Sequence, residues 1–243
     1  FIYGQKNFVF HMSIQNKIPL IFYGESGEVE YGGNTKNINK SFETTEDFDE
    51  LYFKGTNLKN LINIGLQNKI IDKNDLQTNL EFFSPPTLNL IKDNKSQMHW
   101  FSYYKKWIPQ ENYYYASENT GFKTNKIRSE GTYSKYASLD DKTDGFHFYM
   151  AFIKFGLGRT TSDAAHEIRE KHITRDEAKV LVDKYDGEFP IKYFQEFLNY
   201  IQIDKDKFDD IIDKFRNRSS HLWIKKNNKW YLRHNVNKTG VDD

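Results

Sequence analysis

The stretch Ile18-Pro19-Leu20-Ile21-Phe22-Tyr23-Gly24-Glu25-Ser26 decides the fold class. A short apolar run that ends in a glycine-led polar loop predicts a buried parallel strand whose carboxyl end opens towards a ligand, the arrangement of α/β sheets. An ordinary turn after a strand has the same composition, so both readings stand at this point. Upstream, Phe8 to Gln15 predicts a helix, giving the order helix then strand. Downstream, Glu28-Val29-Glu30-Tyr31-Gly32-Gly33 sets two carboxylates, a ring and a glycine pair beside the strand end. Glycine there lets backbone approach a ligand closely.

Composition bounds the function. The 243 residues are enough for one large domain or two small ones with a proper core. Lys and Arg number 35 against 34 Asp and Glu, a formal charge of +1, so no global field drives the molecule onto nucleic acid or anionic lipid. Any anion site is therefore local. The absence of cysteine excludes disulfides, thiolate zinc sites and cysteine nucleophiles, and fits a reducing, cytoplasmic compartment. The first residues, Phe1-Ile2-Tyr3-Gly4-Gln5, carry no initiator Met, basic leader or long apolar run, so neither signal peptide nor membrane span is expected and the chain reads as cut from something longer.

Residues 34–95 read as an insertion or cover, polar and rich in Asn and Lys, with one amphipathic helix marked by Leu58, Leu61, Ile62 and Gly65. Ser84-Pro85-Pro86 punctuates the chain. The run from Met98 to Tyr104 predicts a strand, followed by a helix over Gln110 to Glu118. Thr174-Arg175-Asp176-Glu177 is a capping box, opening a helix that stops at Gly187. Pro190 suits the first turn of the next helix, with Tyr193, Phe194, Phe197, Leu198 and Ile201 on one face. Asp204 caps a third, striped by Phe208, Ile211, Ile212 and Phe215. Leu222-Trp223-Ile224-Lys225 and Lys229-Trp230-Tyr231-Leu232 predict a hairpin. The acidic residues scattered from Asp176 to Asp213 oppose phosphate, which argues against nucleic acid on this helical region.

The segment from Glu130 to His147 is richest in chemistry. Tyr133, Ser134, Lys135, Asp140, Asp141, Lys142 and Asp144 alternate hydroxyls, amines and carboxylates. Lys135 or Lys142 can pair with a carboxylate or phosphate, while Tyr133, Ser134 and the Asp residues bond sugar hydroxyls. A solvated loop has the same makeup. Asp140, Asp141 and Asp144 offer oxygen ligands to Mg²⁺ or, alternatively, helix caps. Histidine is the side chain suited to proton transfer near neutral pH, so His147 is a candidate acid or base, or a packed ring. In Lys154-Phe155-Gly156-Leu157-Gly158-Arg159-Thr160-Thr161-Ser162-Asp163, glycines and hydroxyls precede a helix predicted over Ala164 to Arg169. Its free amides favour an anion, or else are capped by Thr161, Ser162 or Asp163.

These motifs resemble the N-acetyl sugar amidotransferase family: Gly24-Glu25-Ser26 with Glu30-Tyr31-Gly32-Gly33, Glu130-Gly131-Thr132-Tyr133-Ser134-Lys135-Tyr136, Ser138-Leu139-Asp140-Asp141-Lys142, the Lys154 to Ala164 stretch, Tyr185 to Pro190 and Lys214-Phe215-Arg216. The resemblance covers most of the chain and is weakest from Asn34 to Asn94. It implies the carboxy-terminal part of a Rossmann-like PP-loop ATP pyrophosphatase: an α/β fold with a parallel sheet, a helix-rich carboxy-terminal region and a terminal β-hairpin. Residues 1–33 would end the nucleotide-binding domain, 96–172 would bind substrate and 173–243 would form the helical region. The implied reaction converts the acetamido group of a bacterial surface sugar, such as a pseudaminic- or legionaminic-acid-type nonulosonate or a lipopolysaccharide residue, to an acetamidino group. ATP and Mg²⁺ are the implied cofactors. A glutaminase subunit and an ammonia-conducting subunit are the implied partners, with an acidic or nucleotide-linked sugar as substrate. Glu25, Asp140, Asp141 and His147 are then catalytic candidates. Tyr133, Ser134, Lys135, Lys142, Arg159 and Arg169 are substrate candidates, and Gly24, Glu25 and Glu30 lie towards the cofactor. The family's Ser-Gly-Gly-x-Asp-Ser-type loop and its cysteines are not in this sequence, so the chain by itself is expected to be incomplete for catalysis, which leaves a non-catalytic sugar-binding or assembly module as the alternative.

Overall fold

In the computed structural model, residues 2–24, 40–43, 45, 58–78 and 80–236 are described. The chain divides between Trp107 and Ile108 into two compact units.

In the first unit, helix α1 (Ile2–Asn16) turns Lys6, Asn7, Phe10 and Ser13 inward, positions three and four apart that share one helical face. The helix ends where Lys17 takes φ 55° and the Ile18 N–H returns to the Ser13 carbonyl at 2.9 Å. Ser13 Oγ also donates to the Ile18 carbonyl (2.6 Å) and lies 2.8 Å from Ser96 Oγ, pinning the entry to β1 (Leu20–Tyr23) beside the entry to β3 (Gln97–Trp100). Strands β1 and β3 run parallel, Leu20 opposite Gln97 through Tyr23 opposite Trp100, and the short β2 (Phe42–Glu43) pairs antiparallel on the far side of β3. Helices α2 (Leu58–Gln67), α3 (Lys73–Thr78) and α4 (Leu88–Asn94) fall between β2 and β3 in sequence. A 3₁₀ turn (Glu81–Phe83) stops at Ser84, before the Pro pair. The core of this unit is Phe10, Met98 and Trp100.

Helix, strand and parallel pairing thus agree with the sequence reading, but the expected burial of β1 does not. Leu20 and Phe22 are 49% and 51% exposed. Only the alternate residues Ile21 and Tyr23 pack on the core, because α1 and α4 bring Val9 and Ile91 to that face alone. The described strands amount to one parallel pair with an antiparallel edge, rather than a Rossmann-type parallel sheet.

The second unit begins after α5 (Phe101–Tyr104), which with β3 belongs to the first. Its own first helix is α6 (Pro109–Asn119), with Pro109 in the first turn, where its missing N–H costs nothing. An irregular segment, 120–143, leads into α7 (Asp144–Phe155), α8 (Arg159–Arg169), α9 (Arg175–Tyr185), α10 (Phe194–Ile201) and α11 (Lys205–Arg218). The segments 96–172 and 173–243 distinguished in the sequence share this unit from Ile108 onward. Capping follows expectation at two helices. Thr174 and Glu177 form the box at α9, and Asp204 accepts the Lys207 N–H at 2.7 Å at α11. Gly187 takes φ 76° just past α9. Pro190 is a correction. It lies in the extended link ahead of α10, which starts at Phe194, four residues later than the proline suggested.

The core joins α7, α10, α11 and the hairpin β4 (Trp223–Lys226) and β5 (Lys229–Leu232), through Ile153, Leu198, Phe208, Ile212 and Trp223. The buried Trp223 indole donates to the Ile153 carbonyl at 2.7 Å. Asn227 and Asn228 both take positive φ, as a two-residue hairpin turn requires. No helix among the described residues is long and apolar enough to cross a membrane.

Candidate functional site

The 120–143 segment has little regular structure, so its shape comes from side chains. Arg128 lays its guanidinium fork on the Glu188 carboxylate, at 2.6 and 2.7 Å, and the Gly131 N–H adds a third bond to Glu188 at 2.8 Å. The fork also sits 4.4 Å over the Tyr185 ring. The hydrogen bonds from Arg128 hold the Glu188 carboxyl below its ordinary pKa, against the opposing effect of partial burial. Gly131 turns at φ 77°, and the buried Thr160 hydroxyl donates to its carbonyl at 2.7 Å. Buried Thr132 donates to Asp163 at 2.6 Å, and the Tyr133 hydroxyl donates to Glu167 at 3.0 Å. Burial first, then Glu167, pushes the Tyr133 pKa upward. Tyr136 stacks on Tyr113, its centroid 4.8 Å away, and donates to Gln110. Burial and the charges of Asp163 and Glu167 push it up to about 12.

Between this segment and the link ahead of α10 lies a cleft of about 410 Å³. One wall is Asn125 to Glu130; the floor is Leu139, Gly145 and Phe146; the other wall is Pro190, Lys192 and Tyr193; Ser138, Asp141 and Lys142 complete the lining. Gly145 permits this closure, since a Cβ there would stand 2.9 Å from Pro190 Cβ. Phe146, 2% exposed, ties the floor to the core by stacking on Phe197 with centroids 3.9 Å apart. The Glu130 carboxylate accepts the Lys192 N–H with both oxygens, at 3.2 and 3.3 Å, and so bridges the walls. The Tyr193 ring is flanked by two ammonium groups, Lys192 at 4.7 Å and Lys142 at 5.2 Å from its centroid. Lys142 also donates to Glu196 at 2.6 Å, which raises its pKa, and both side chains of that pair are 61% exposed. Such a lining suits an anionic polyol: ammonium groups for the anion, a ring for a sugar face, and Glu130, Asp141 and Ser138 for hydroxyls.

Of the residues singled out in sequence, Asp141 and Lys142 line the cleft. Asp141 accepts both the N–H and the hydroxyl of Thr143, at 2.6 and 2.7 Å, and the Thr143 hydroxyl is the main cause of its lowered pKa. Tyr133 and Ser134 belong to the scaffold, Ser134 buried and accepting the Tyr136 N–H. Lys135, Asp140 and His147 are exposed outside the lining. Arg159 is engaged by Asp163 at 3.0 Å and Asp144 at 3.5 Å, and Arg169 by His166 at 2.9 Å. Gly24 is exposed just past β1, while Glu25 and Glu30 lie outside the described residues. Asp144 is engaged by Ser138 and Arg159 as Asp141 is by Thr143, so with Asp140 they do not converge as cation ligands. No group of three or more His, Asp or Glu among the described residues is placed to hold a metal ion. Lys126, Arg128, Lys192 and Tyr193 were not anticipated as site residues, and Glu130 only as part of its stretch.

The glycine-rich approach to α8 needs correction too. The helix starts at Arg159, five residues before the expected Ala164, and Gly158 is the cap. The anion at its first amides is Asp186. Its carboxylate accepts the Gly158 N–H (2.9 Å), the Thr161 N–H (3.1 Å) and the Thr161 hydroxyl (2.5 Å). Asp186, rather than Thr161, Ser162 or Asp163, takes these amides.

A wider groove of about 790 Å³ in the first unit, lined by His11, Phe82, Pro85 and Leu90 among others, is mainly apolar and lacks a comparable set of charges.

Residues 130–236 match the family model described as LPS biosynthesis protein WbpG-like, C-terminal domain. No curated protein matches the chain. The matched stretch begins on the cleft wall at Glu130 and runs through the hairpin, and its similarity supports a place in lipopolysaccharide biosynthesis for this part of the molecule.

Proposed function

We propose that the protein serves an ATP-dependent amidotransferase that converts an acetamido group of a bacterial surface sugar to an acetamidino group. The observation that carries this reading is the match of residues 130–236 to an LPS-biosynthesis domain, coinciding with a cleft whose lining suits a sugar carrying an anionic group. An amide oxygen is a poor leaving group; ATP with Mg²⁺, when bound, supplies its activation, and ammonia released by a partner glutaminase supplies the nitrogen. The part of the cleft residues in this scheme is recognition. Tyr193 receives a sugar face, Lys126, Lys142 and Lys192 receive negative charge, and Glu130 and Asp141 accept hydroxyl protons. Whole protein incubated with an N-acetylated nonulosonate, ATP, Mg²⁺ and ¹⁵N-ammonium is expected to yield a sugar in which oxygen has been replaced by labelled NH, read by mass spectrometry, together with AMP and pyrophosphate. Absence of label from every acidic N-acetyl sugar offered would defeat the reading.

A second reading is a sugar-binding or assembly module without turnover, for which the same lining of ammonium groups, ring and carboxylates suffices. Sugar binding with no nucleotide dependence and no label transfer would select it.

A further inference from the structure

Lys126, Arg128, Lys142 and Lys192 line the cleft together with Glu130 and Asp141, four cations against two carboxylates. Two further carboxylates outside the lining alter that balance. Glu188 holds Arg128 through a bidentate fork that is two-thirds shielded and also engages the Gly131 N–H, a fixed part of the wall. Glu196 holds Lys142 through a single contact in the open, with both partners 61% exposed. Counting both acids, four positive charges meet four negative ones, so the sign of the cleft turns on whichever pair can open. An exposed single-contact pair is weak and exchanges readily, whereas a half-buried fork with a third donor does not.

We propose that Glu196 is a resident counter-anion that sets the charge selectivity of the cleft: it holds Lys142 beside Tyr193 and yields it to the carboxylate or phosphate of a pyranose seated on that ring. This rests on the cleft being the sugar site, and it adds the residue that selects for charge. Glu196 lies in the first turn of α10, where the helix dipole also favours a carboxylate, so it needs no compensating partner when Lys142 leaves. Lys142 in turn stays within 5.2 Å of the Tyr193 centroid, close enough to meet an anion on a sugar stacked there.

The test titrates the full chain, by calorimetry, with N-acetylneuraminic acid, N-acetylglucosamine 1-phosphate and uncharged N-acetylglucosamine. Glu196→Gln is expected to tighten binding of an anionic sugar by about two- to fivefold, the scale of an exposed ion pair, and to leave the neutral sugar unchanged. In a Lys142→Met background the same substitution is expected to have no effect, because the gain comes from freeing that ammonium. The probe showing the gain, sugar acid or sugar phosphate, identifies the source of the anion. An equal gain in the Lys142→Met background would mean plain through-space repulsion and would overturn the proposal. No change on Glu196→Gln, or no binding of either anionic sugar, would overturn it as well. Binding requires neither ATP nor ammonia, so loss of amidine formation with these affinities intact would count against the amidotransferase and not against Glu196.

Discussion

Replacing Asp186 by Ala removes at one stroke the acceptor of three hydrogen bonds that close the start of α8. Loss of a helix amino-terminal cap costs about 0.5–2 kcal/mol. Loss of a carboxylate at the positive end of the helix dipole adds about 0.3–1 kcal/mol. Asp186 is half-buried, so a total of roughly 1.5–2 kcal/mol is expected, or a fall of roughly 4–8 °C in Tm for a unit of this size. Asp186→Asn keeps an acceptor and gives up only the charge, so it should lose less than half as much. Circular dichroism melts at neutral pH separate the two variants. The helix start bared by Asp186→Ala should also regain stability from sulfate more than from chloride at equal ionic strength, and more than the wild type does. A Asp186→Ala protein within about 0.5 kcal/mol of wild type, or an Asn variant as damaged as the Ala variant, would refute this account of the cap.

Gly187→Ala should destabilise by about 3 kcal/mol or more, since φ 76° strains any Cβ and this one would stand 2.2 Å from the Phe152 ring. A urea midpoint shift worth less than about 1 kcal/mol would contradict that packing. Glu188 has a folded-state pKa below its ordinary 4.5, so its stabilisation is complete above that value and is lost as pH falls through the lower, folded pKa. The stability gap between wild type and Glu188→Gln, about 1 kcal/mol for a partly shielded pair, should therefore hold constant above pH about 5 and close on acidification. A gap that widened in acid would reverse the sign argued here.

The elements that sequence made legible are those whose signals are local. A capping box, a helical stripe and an Asn-Asn turn carry their geometry within four to eight residues, so α9, α11 and the β4–β5 hairpin were readable in advance. The start of α8 was not, because the carboxylate that takes its first amides is Asp186, 28 residues beyond Gly158 in the chain. Pro190 misled for a related reason: the proline fits against Gly145, and that contact, not helix initiation, is its role in the fold. The exposure of Leu20 and Phe22 depends on what packs above β1, which an apolar run cannot reveal. In the site, sequence proximity drew attention to Glu130–His147 as one group. Folding splits that group, sending Tyr133 to brace α8 through Glu167, burying Ser134 within its own segment and leaving Asp141 and Lys142 at the cleft.

Arg128, Lys192 and Tyr193, missed at the site, share one property: each is tied to a partner far along the chain. Arg128 is positioned by Glu188, and Glu130 meets the backbone of Lys192, 60 and 62 residues apart in sequence. Tyr193 stands between Lys142 and Lys192 because Gly145 and Pro190 bring the two walls together over Phe146. Phe146 is at once cleft floor and part of the aromatic packing against Phe189, Phe194 and Phe197, so the distance between the walls is set by the same contacts that stabilise the unit. Cleft and fold cannot then be varied independently, except at the exposed rim. There Lys142 and Glu196 can exchange partners without moving the backbone, which is why charge selection falls to that pair and not to the Arg128–Glu188 fork.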